Sequence, residues 1–515
     1  MAKLGELFRS TEEQVTPVEA VVTGQIPEWL KGCFLRLGPG KFDIGDFVMN
    51  HWFDGYAVLY KFDIQKGKVT FTKRFLQSDA YKKAVAVGRP VFTEFGTKSY
   101  PDPCKNIFSR MMSSLVPELT DNGAINVFTM EDAVYVASET NFLRRVDVES
   151  LATMEKVDMT KLVGVNLASS HTYQDSRGLY YSMGTSLLSG PKYHIIRTAA
   201  APSGKAQDAL SKAAILTTIP SSWTTNMCYY HSFGMSENYI VFIEQPLIIS
   251  SMKLVTSQVK GKCLRDCMTW NPQELNKFYV IEKSTGKILP VKYKSKNAFF
   301  LFHHINTYEE NDQLVVDVVA FDSPDIIDKL FLKKVRNNEM DPKDPGCGNR
   351  FVLPLPKDKM EFPSGTNLVT LKTKAKAERV GDVIELTPQI LSDPGYDLPV
   401  VSNNVFGKKY RYYYCSGMYD PGPFSNSLIK VDVETGDAKT WKESEYMYPG
   451  EVQFVPCPGS SSEDDGILLA AVTDVRKGEP DFLLVLDAKN LTEVARAEVT
   501  VHIPNVIHGL FLPSS

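Results

Sequence analysis

Five times along the chain a short apolar run ends in an acidic residue, turns through polar residues and resumes as a second run. The five segments are YKFDIQKGKVTF around Asp63, RRVDVESLATMEKV around Asp147, YVIEKSTGKILPV around Glu282, IKVDVETGDAKTW around Asp432 and VLDAKNLTEVARAEV around Asp487. Two β-rich runs joined by a tight polar turn are a hairpin signal. YIVFIEQPL, QLVVDVVAF and GILLAAVTDV are short, β-branched and bounded by Pro, Gly or Asp, as buried strands are. Convincing helical stretches are few. Many short strands with recurring hairpins along 515 residues predict an all-β chain. A β-propeller accommodates them best, because its radial blades leave only short, protected edges. The repeat is too loose to fix the number of blades.

Length alone would suggest several domains, but propellers break that rule, and residues 1–515 are read as one domain. The net charge of −4 is spread along the chain. No basic face exists to steer nucleic acid, so nucleic-acid binding is not expected. The eight cysteines, Cys33, Cys104, Cys228, Cys263, Cys267, Cys347, Cys415 and Cys457, show no CxxC and no Cys/His spacing of a zinc site, and read as reduced thiols. The opening MAKLGELFRSTEEQV has neither the apolar stretch of a secretory signal nor the Arg/Ser bias of a transit peptide. No run reaches the eighteen apolar residues of a spanning helix. A cytoplasmic location is the expectation.

Four of the eight histidines sit in apolar, aromatic, strand-like settings: His171 in ASSHTY, His231 in YYHSFG, His303 in FFLFHHIN and His508 in NVIHGLF. Imidazole is the commonest metal-binding side chain, although a lone buried histidine is more often a hydrogen-bonded core residue. Adjacent strand residues face opposite ways, so only one of His303 and His304 can point at a shared centre. A propeller would gather such residues, because the innermost strand of every blade lines the axis. His171, His231 and His303 are 60 and 72 residues apart, about one blade each, and His508 lies where a last strand would close the ring.

The segments GCFLRLGPGKF, NHWFDG, TEFGTKSYPDPCKNIFSR, SETNF, HSFGMSENYIVFIEQPL, FHHINTYEE, NRFVLPLP, YPGEVQFVPCPG and the closing HGLF together resemble the carotenoid cleavage oxygenases, from about residue 18 to 512. Within that family the wording is most similar to the animal branch of β-carotene oxygenases and the retinal pigment epithelium retinoid isomerase. NHWFDG, FLQSDAYK and PDPCKNIFSR resemble the β-carotene 9′,10′-oxygenases most.

The resemblance implies a seven-bladed propeller with a non-haem Fe(II) on its axis and a cap of loops and helices forming a substrate tunnel. It implies His171, His231, His303 and His508 as ligands, with His304 facing away. Four neutral imidazoles would leave the iron its full charge and room for O2 or substrate, unlike a two-His-one-carboxylate site. Metal-binding imidazoles need their second nitrogen tied to an acceptor, and by motif Glu139 in SETNF, Asp397 in YDLPV and Glu451 in YPGEVQF take that role. Asp397 departs from the Glu usual in relatives. A side chain one methylene shorter must draw the backbone in or reach its histidine through water, and Asp397→Glu is expected to be neutral or beneficial. Thr172 after His171 is a second departure, since many relatives have proline there and proline restricts its predecessor.

The implied reaction is oxidative cleavage of one double bond of a carotenoid or apocarotenoid by O2, giving two apocarbonyl products. Cleavage at 9′,10′ is favoured. Central 15,15′ cleavage, retinoid isomerohydrolysis and a carotenoid-binding propeller without turnover are the alternatives. No side-chain nucleophile or general base is required. By resemblance, Tyr100 and Ser138 lie near the substrate cavity. Read as a helix, Cys104 to Glu118 gathers Ile107, Phe108, Met111, Met112 and Leu115 on one side, the pattern of an interfacial helix on a membrane surface. Cys104 is a candidate palmitoylation site there. The stretch 247–259 is a second exposed apolar candidate.

Overall fold

The computed structural model describes residues 4–100, 119–187, 189–257, 260–339, 345–356, 362–417 and 426–514. All five acid-ended segments are hairpins. Asp432 shows why an acid closes the first strand: its carboxylate accepts the backbone N–H groups of Glu434 and Thr435, while its own N–H bonds across the turn to Asp437. Asp147 and Asp487 accept the N–H groups of their own turns in the same way. The side chain thus supplies the turn with hydrogen bonds that the ladder no longer provides.

The five hairpins fall one each in five of the seven sheets of four or more strands among the described residues, and each of the seven is a blade. The first blade runs from rim to axis as Gln14–Glu19, Lys68–Phe75, Tyr56–Gln65, Gly32–Lys41 and His508–Pro513. Its innermost strand is therefore the last of the chain. The seventh blade, built from residues 447–499, takes Val21–Gly24 as its rim strand. Each terminus is stitched into the blade made largely by the other, which closes the ring and covers strand edges that would otherwise be free to pair. The apolar runs are core strands as expected. All eight residues of Gln313–Ala320 are buried, as are all nine of Gly466–Asp474. Buried aliphatic side chains of this kind each contribute about 1.5–3 kcal/mol. The acid inside QLVVDVVAF is satisfied, because Asp317 receives Arg350 on both oxygens at 2.9 and 2.7 Å and the Tyr410 hydroxyl at 2.6 Å.

Helices are short. Asp79–Val87 starts on a Ser78 side chain that accepts the Tyr81 N–H and stops at Gly88 in the left-handed region, as a capped helix should. No helix among the described residues is long and apolar enough to cross a membrane. The cysteines among the described residues form no disulfide; Cys104 and the stretch Ile107, Phe108, Met111, Met112 and Leu115 lie outside those residues. The second apolar candidate divides. Leu247, Ile249 and Leu254 are buried, whereas Met252 and Val255 are exposed. Its strand half is core, and only the helix Ser251–Thr256 turns apolar side chains outward.

Candidate metal centre

Among the described residues, every blade places one polar side chain within three residues of the start of its innermost strand. In chain order these are Asn126, His171, His231, His303, Asp397, Glu451 and His508. Polar residues placed once per blade near the same end of that strand converge on the axis, whatever their distance in sequence. His171, His231, His303 and His508 are all buried, and one nitrogen of each lies within 4.8 Å of those of the others.

The outer nitrogens are tied down. His303 Nδ1 donates to Asp397 Oδ1 at 2.8 Å, His508 Nδ1 to Glu451 Oε1 at 2.7 Å, and His231 Nδ1 to Glu139 Oε1. Those bonds assign the proton to Nδ1 and leave a lone pair on each Nε2, and the Nε2 atoms face inward. His171 Nε2 lies 3.0 Å from His231 Nε2, and His303 Nε2 lies 3.2 Å from His508 Nε2. The lone pairs of His303 and His508, aimed at one another across that distance, call for a cation between them, and His231 Nε2 adds a third lone pair to the same cluster. At a metal–imidazole bond of about 2.1 Å, ligands at right angles stand about 3.0 Å apart, so the spacing suits a single ion. Burial, and then the neighbouring His231, His508 and His303, hold the His171 imidazole well below its usual pKa. Burial also lowers His231 and His508 despite Glu139 and Glu451. Neutral imidazoles are the form that binds metal.

The supports differ from arm to arm. Glu139 also receives the Tyr229 hydroxyl at 2.9 Å. Glu451 receives Arg36 Nη1 at 2.8 Å and the Gly509 N–H at 3.1 Å. Burial disfavours the Glu451 charge, but His508 and Arg36 outweigh it and lower its pKa. His171 has no carboxylate. Its Nδ1 lies 3.3 Å from the Asn126 side-chain amide. Asp397 reaches His303 because the backbone comes in: the pairing with the neighbouring strand shifts register between Asp397 and Val400, and Leu398 takes φ 55°.

His304 faces the other way, with Nδ1 at 2.9 Å from Ser232 Oγ. The remaining histidines serve the framework. His51 bridges Phe53 N–H and the Ile327 carbonyl, His194 lies between Ser186 and Thr218, and His502 meets Asp481. Beside Glu139 a cavity opens among Phe53, Phe95, Ile125, Ser138, Leu167 and Leu264. Ser138 lines it, its hydroxyl held by Asn122 and Ala124. Tyr100 is not among the lining residues. Its ring packs edge-on against Phe47 and lies under the cations of Arg89 and Lys98. Arg36, Tyr229 and Asn126 were not anticipated. Arg36 left a signal, a lone cation within the apolar strand GCFLRLG.

A propeller with four inward histidines and carboxylates behind them defines a class: a buried, all-imidazole metal protein, here with a largely apolar cavity beside one of the supporting carboxylates, Glu139. The chain belongs to the retinal pigment epithelial membrane protein family, the carotenoid cleavage oxygenases, whose profile matches residues 7–513. It is 40% identical over 532 residues to the "Carotenoid-cleaving dioxygenase, mitochondrial" of Macaca fascicularis, covering 98% of this chain and 94% of that one. It is 38% identical over 521 residues to the "Beta,beta-carotene 15,15'-dioxygenase" of Rattus norvegicus, covering 98% and 91%. Among solved structures, a cobalt-substituted Synechocystis apocarotenoid oxygenase superposes with a TM-score of 0.79 at 21% identity, covering 99% of this chain and 98% of that one. That likeness carries the fold.

Proposed function

We propose that this chain is a non-haem iron(II) dioxygenase that cleaves one double bond of a carotenoid polyene with O2, giving two carbonyl products. The observation that carries the reading is the inward-facing set of four buried histidines, three of them oriented by carboxylates, one of which, Glu139, also lines a largely apolar cavity. His171, His231, His303 and His508 would hold the ion. Iron(II), when bound, supplies the redox chemistry that lets O2 react with an alkene.

The protein's own contribution is position and dryness. Glu139, Asp397 and Glu451 fix the tautomer and tilt of three imidazoles, so that no ligand must reorganise during turnover. Phe53, Phe95, Leu167 and Leu264 present apolar walls to a polyene and keep water from the reacting bond. The cleavage needs no proton transfer, and no side chain beside the four histidines is assigned one. Residues 1–515 act as one propeller domain in this reading.

Cleavage at 9′,10′ is favoured by the wording of NHWFDG, FLQSDAYK and PDPCKNIFSR. Central cleavage is the second reading, supported by the 38% identity to the 15,15′ enzyme. Exposed Met252 and Val255 on the short helix that also lends Leu254 to the cavity fit a peripheral contact with a membrane surface, from which an insoluble substrate would enter. The chemistry is tested with labelled oxygen. Iron-loaded protein turning over a carotenoid under 18O2 should yield two carbonyl products, each carrying label. Label in neither product would reject a dioxygenase.

A further inference from the structure

Arg36 is the largest fully buried cation beside the centre, with no measurable exposure. It sits in the strand paired with the closing one, directly opposite Gly509. Nη1 binds Glu451 Oε2 at 2.8 Å and Nη2 binds the Ile507 carbonyl at 3.1 Å. Its guanidinium thus grips both the carboxylate that orients His508 and the backbone that precedes it. A buried cation is costly unless its charge is used. Glu139, Asp397 and Glu451 each accept an imidazole N–H and are counted as anions; four neutral imidazoles add no charge. Three carboxylates and one guanidinium leave two negative charges in excess, the number that a dication cancels.

We propose that Arg36 is a positioning residue that sets the charge of the metal centre, matching it to a divalent ion and keeping bound iron ferrous. The inference rests on the iron reading above. Without Arg36 the surroundings carry a third negative charge, and in a low-dielectric interior an added anion a few ångströms away favours the ferric ion strongly. Neutralising Glu451 does the reverse. Removing both charges restores the original balance, although the contacts differ.

The test loads the full-length protein with iron(II), measures iron per chain, and follows the ferric fraction in air by electron paramagnetic resonance. Arg36→Met should oxidise on the order of tenfold faster than the parent. Glu451→Gln, whose amide oxygen still accepts from His508, should oxidise more slowly than the parent. Arg36→Met combined with Glu451→Gln should return towards the parent rate. Arg36→Lys, which keeps the charge but not the second bond to Ile507, should stay ferrous with weaker iron retention. If Arg36→Met does not fold, the opposite sign required of Glu451→Gln and the ferrous state of Arg36→Lys decide the matter. Oxidation at the parent rate in every variant, or a double variant as fast as Arg36→Met, would overturn the role of Arg36 while leaving the iron site intact. A parent protein that takes up no iron would reject both this inference and the reading beneath it.

Discussion

Asp397 contacts His303 directly, Oδ1 to Nδ1 at 2.8 Å, although its side chain is one methylene shorter than the glutamates that orient His231 and His508. A register shift and a left-handed Leu398 bring the backbone inward to allow it. A non-glycine residue in that region is held there by its surroundings, and the bulge re-aims the side chain. Asp397→Glu is therefore expected to overreach and to lower iron occupancy, in contrast to the neutral or beneficial outcome expected from sequence. Asp397→Asn should cost about tenfold or more in iron affinity, as loss of such partners does elsewhere. Competition with a graded chelator measures both, and an Asp397→Glu protein that binds iron more tightly would refute the match.

The two neighbouring histidines separate cleanly. His303→Ala removes an inward ligand and should abolish stoichiometric iron. His304→Ala removes a ring bound to Ser232 and should leave the iron in place, with a loss confined to thermal stability. Metal analysis of the two purified variants checks the assignment, and iron loss only in His304→Ala would reverse it.

Gly509 follows the last histidine because nothing larger fits. A Cβ there would lie 2.5 Å from the Leu35 carbonyl oxygen and 2.5 Å from Arg36 Cδ, and the former is backbone that cannot step aside. Gly509→Ala should cost about 1–3 kcal/mol of stability and lower iron content, since it displaces both His508 and the guanidinium that holds Glu451. A thermal melt at parental temperature would show the strand to be looser than it looks.

His51 gives a pH dependence of its own, separate from the four histidines of the metal centre. Its Nδ1 accepts the Phe53 N–H at 3.1 Å and its Nε2 donates to Ile327 at 2.8 Å, an arrangement open only to the neutral ring. Burial lowers its pKa from 6.5 to about 4. The unfolded chain therefore takes up the proton first, and the stability His51 lends is complete above pH 6.5 and is lost as the pH falls towards 4. The stability gap between parent and His51→Gln should narrow by about 2 kcal/mol from pH 7 to pH 5. Denaturant titrations at the two pH values measure it. A gap that does not change would mean that the ring titrates in the fold as it does in the unfolded chain.

The fold was legible because hairpins and buried strands are local. An acid that caps its own turn, as at Asp432, and an unbroken buried run, as at Gln313–Ala320, are visible in a dozen residues. The histidines could be nominated by their apolar setting, but choosing His303 over His304 required the family or the structure. Arg36, Tyr229 and Asn126 were missed because each acts through another residue, 415 positions away in the case of Arg36 and Glu451. No local pattern encodes such a pairing. The approach of Asp397 was undecidable on other grounds, since its reach depends on a register shift against the following strand, Tyr412–Gly417, and on the left-handed turn of the backbone at Leu398.

The most direct test is chromatographic analysis of products from the purified protein in detergent with β-carotene under air, before and after iron is removed by a chelator and then restored. The account expects an apo-10′-carotenal and an ionone, lost with the iron and regained with iron(II). Cleavage that persists without iron, or a protein that holds stoichiometric iron and yields no product from β-carotene or a hydroxylated carotenoid, would contradict it.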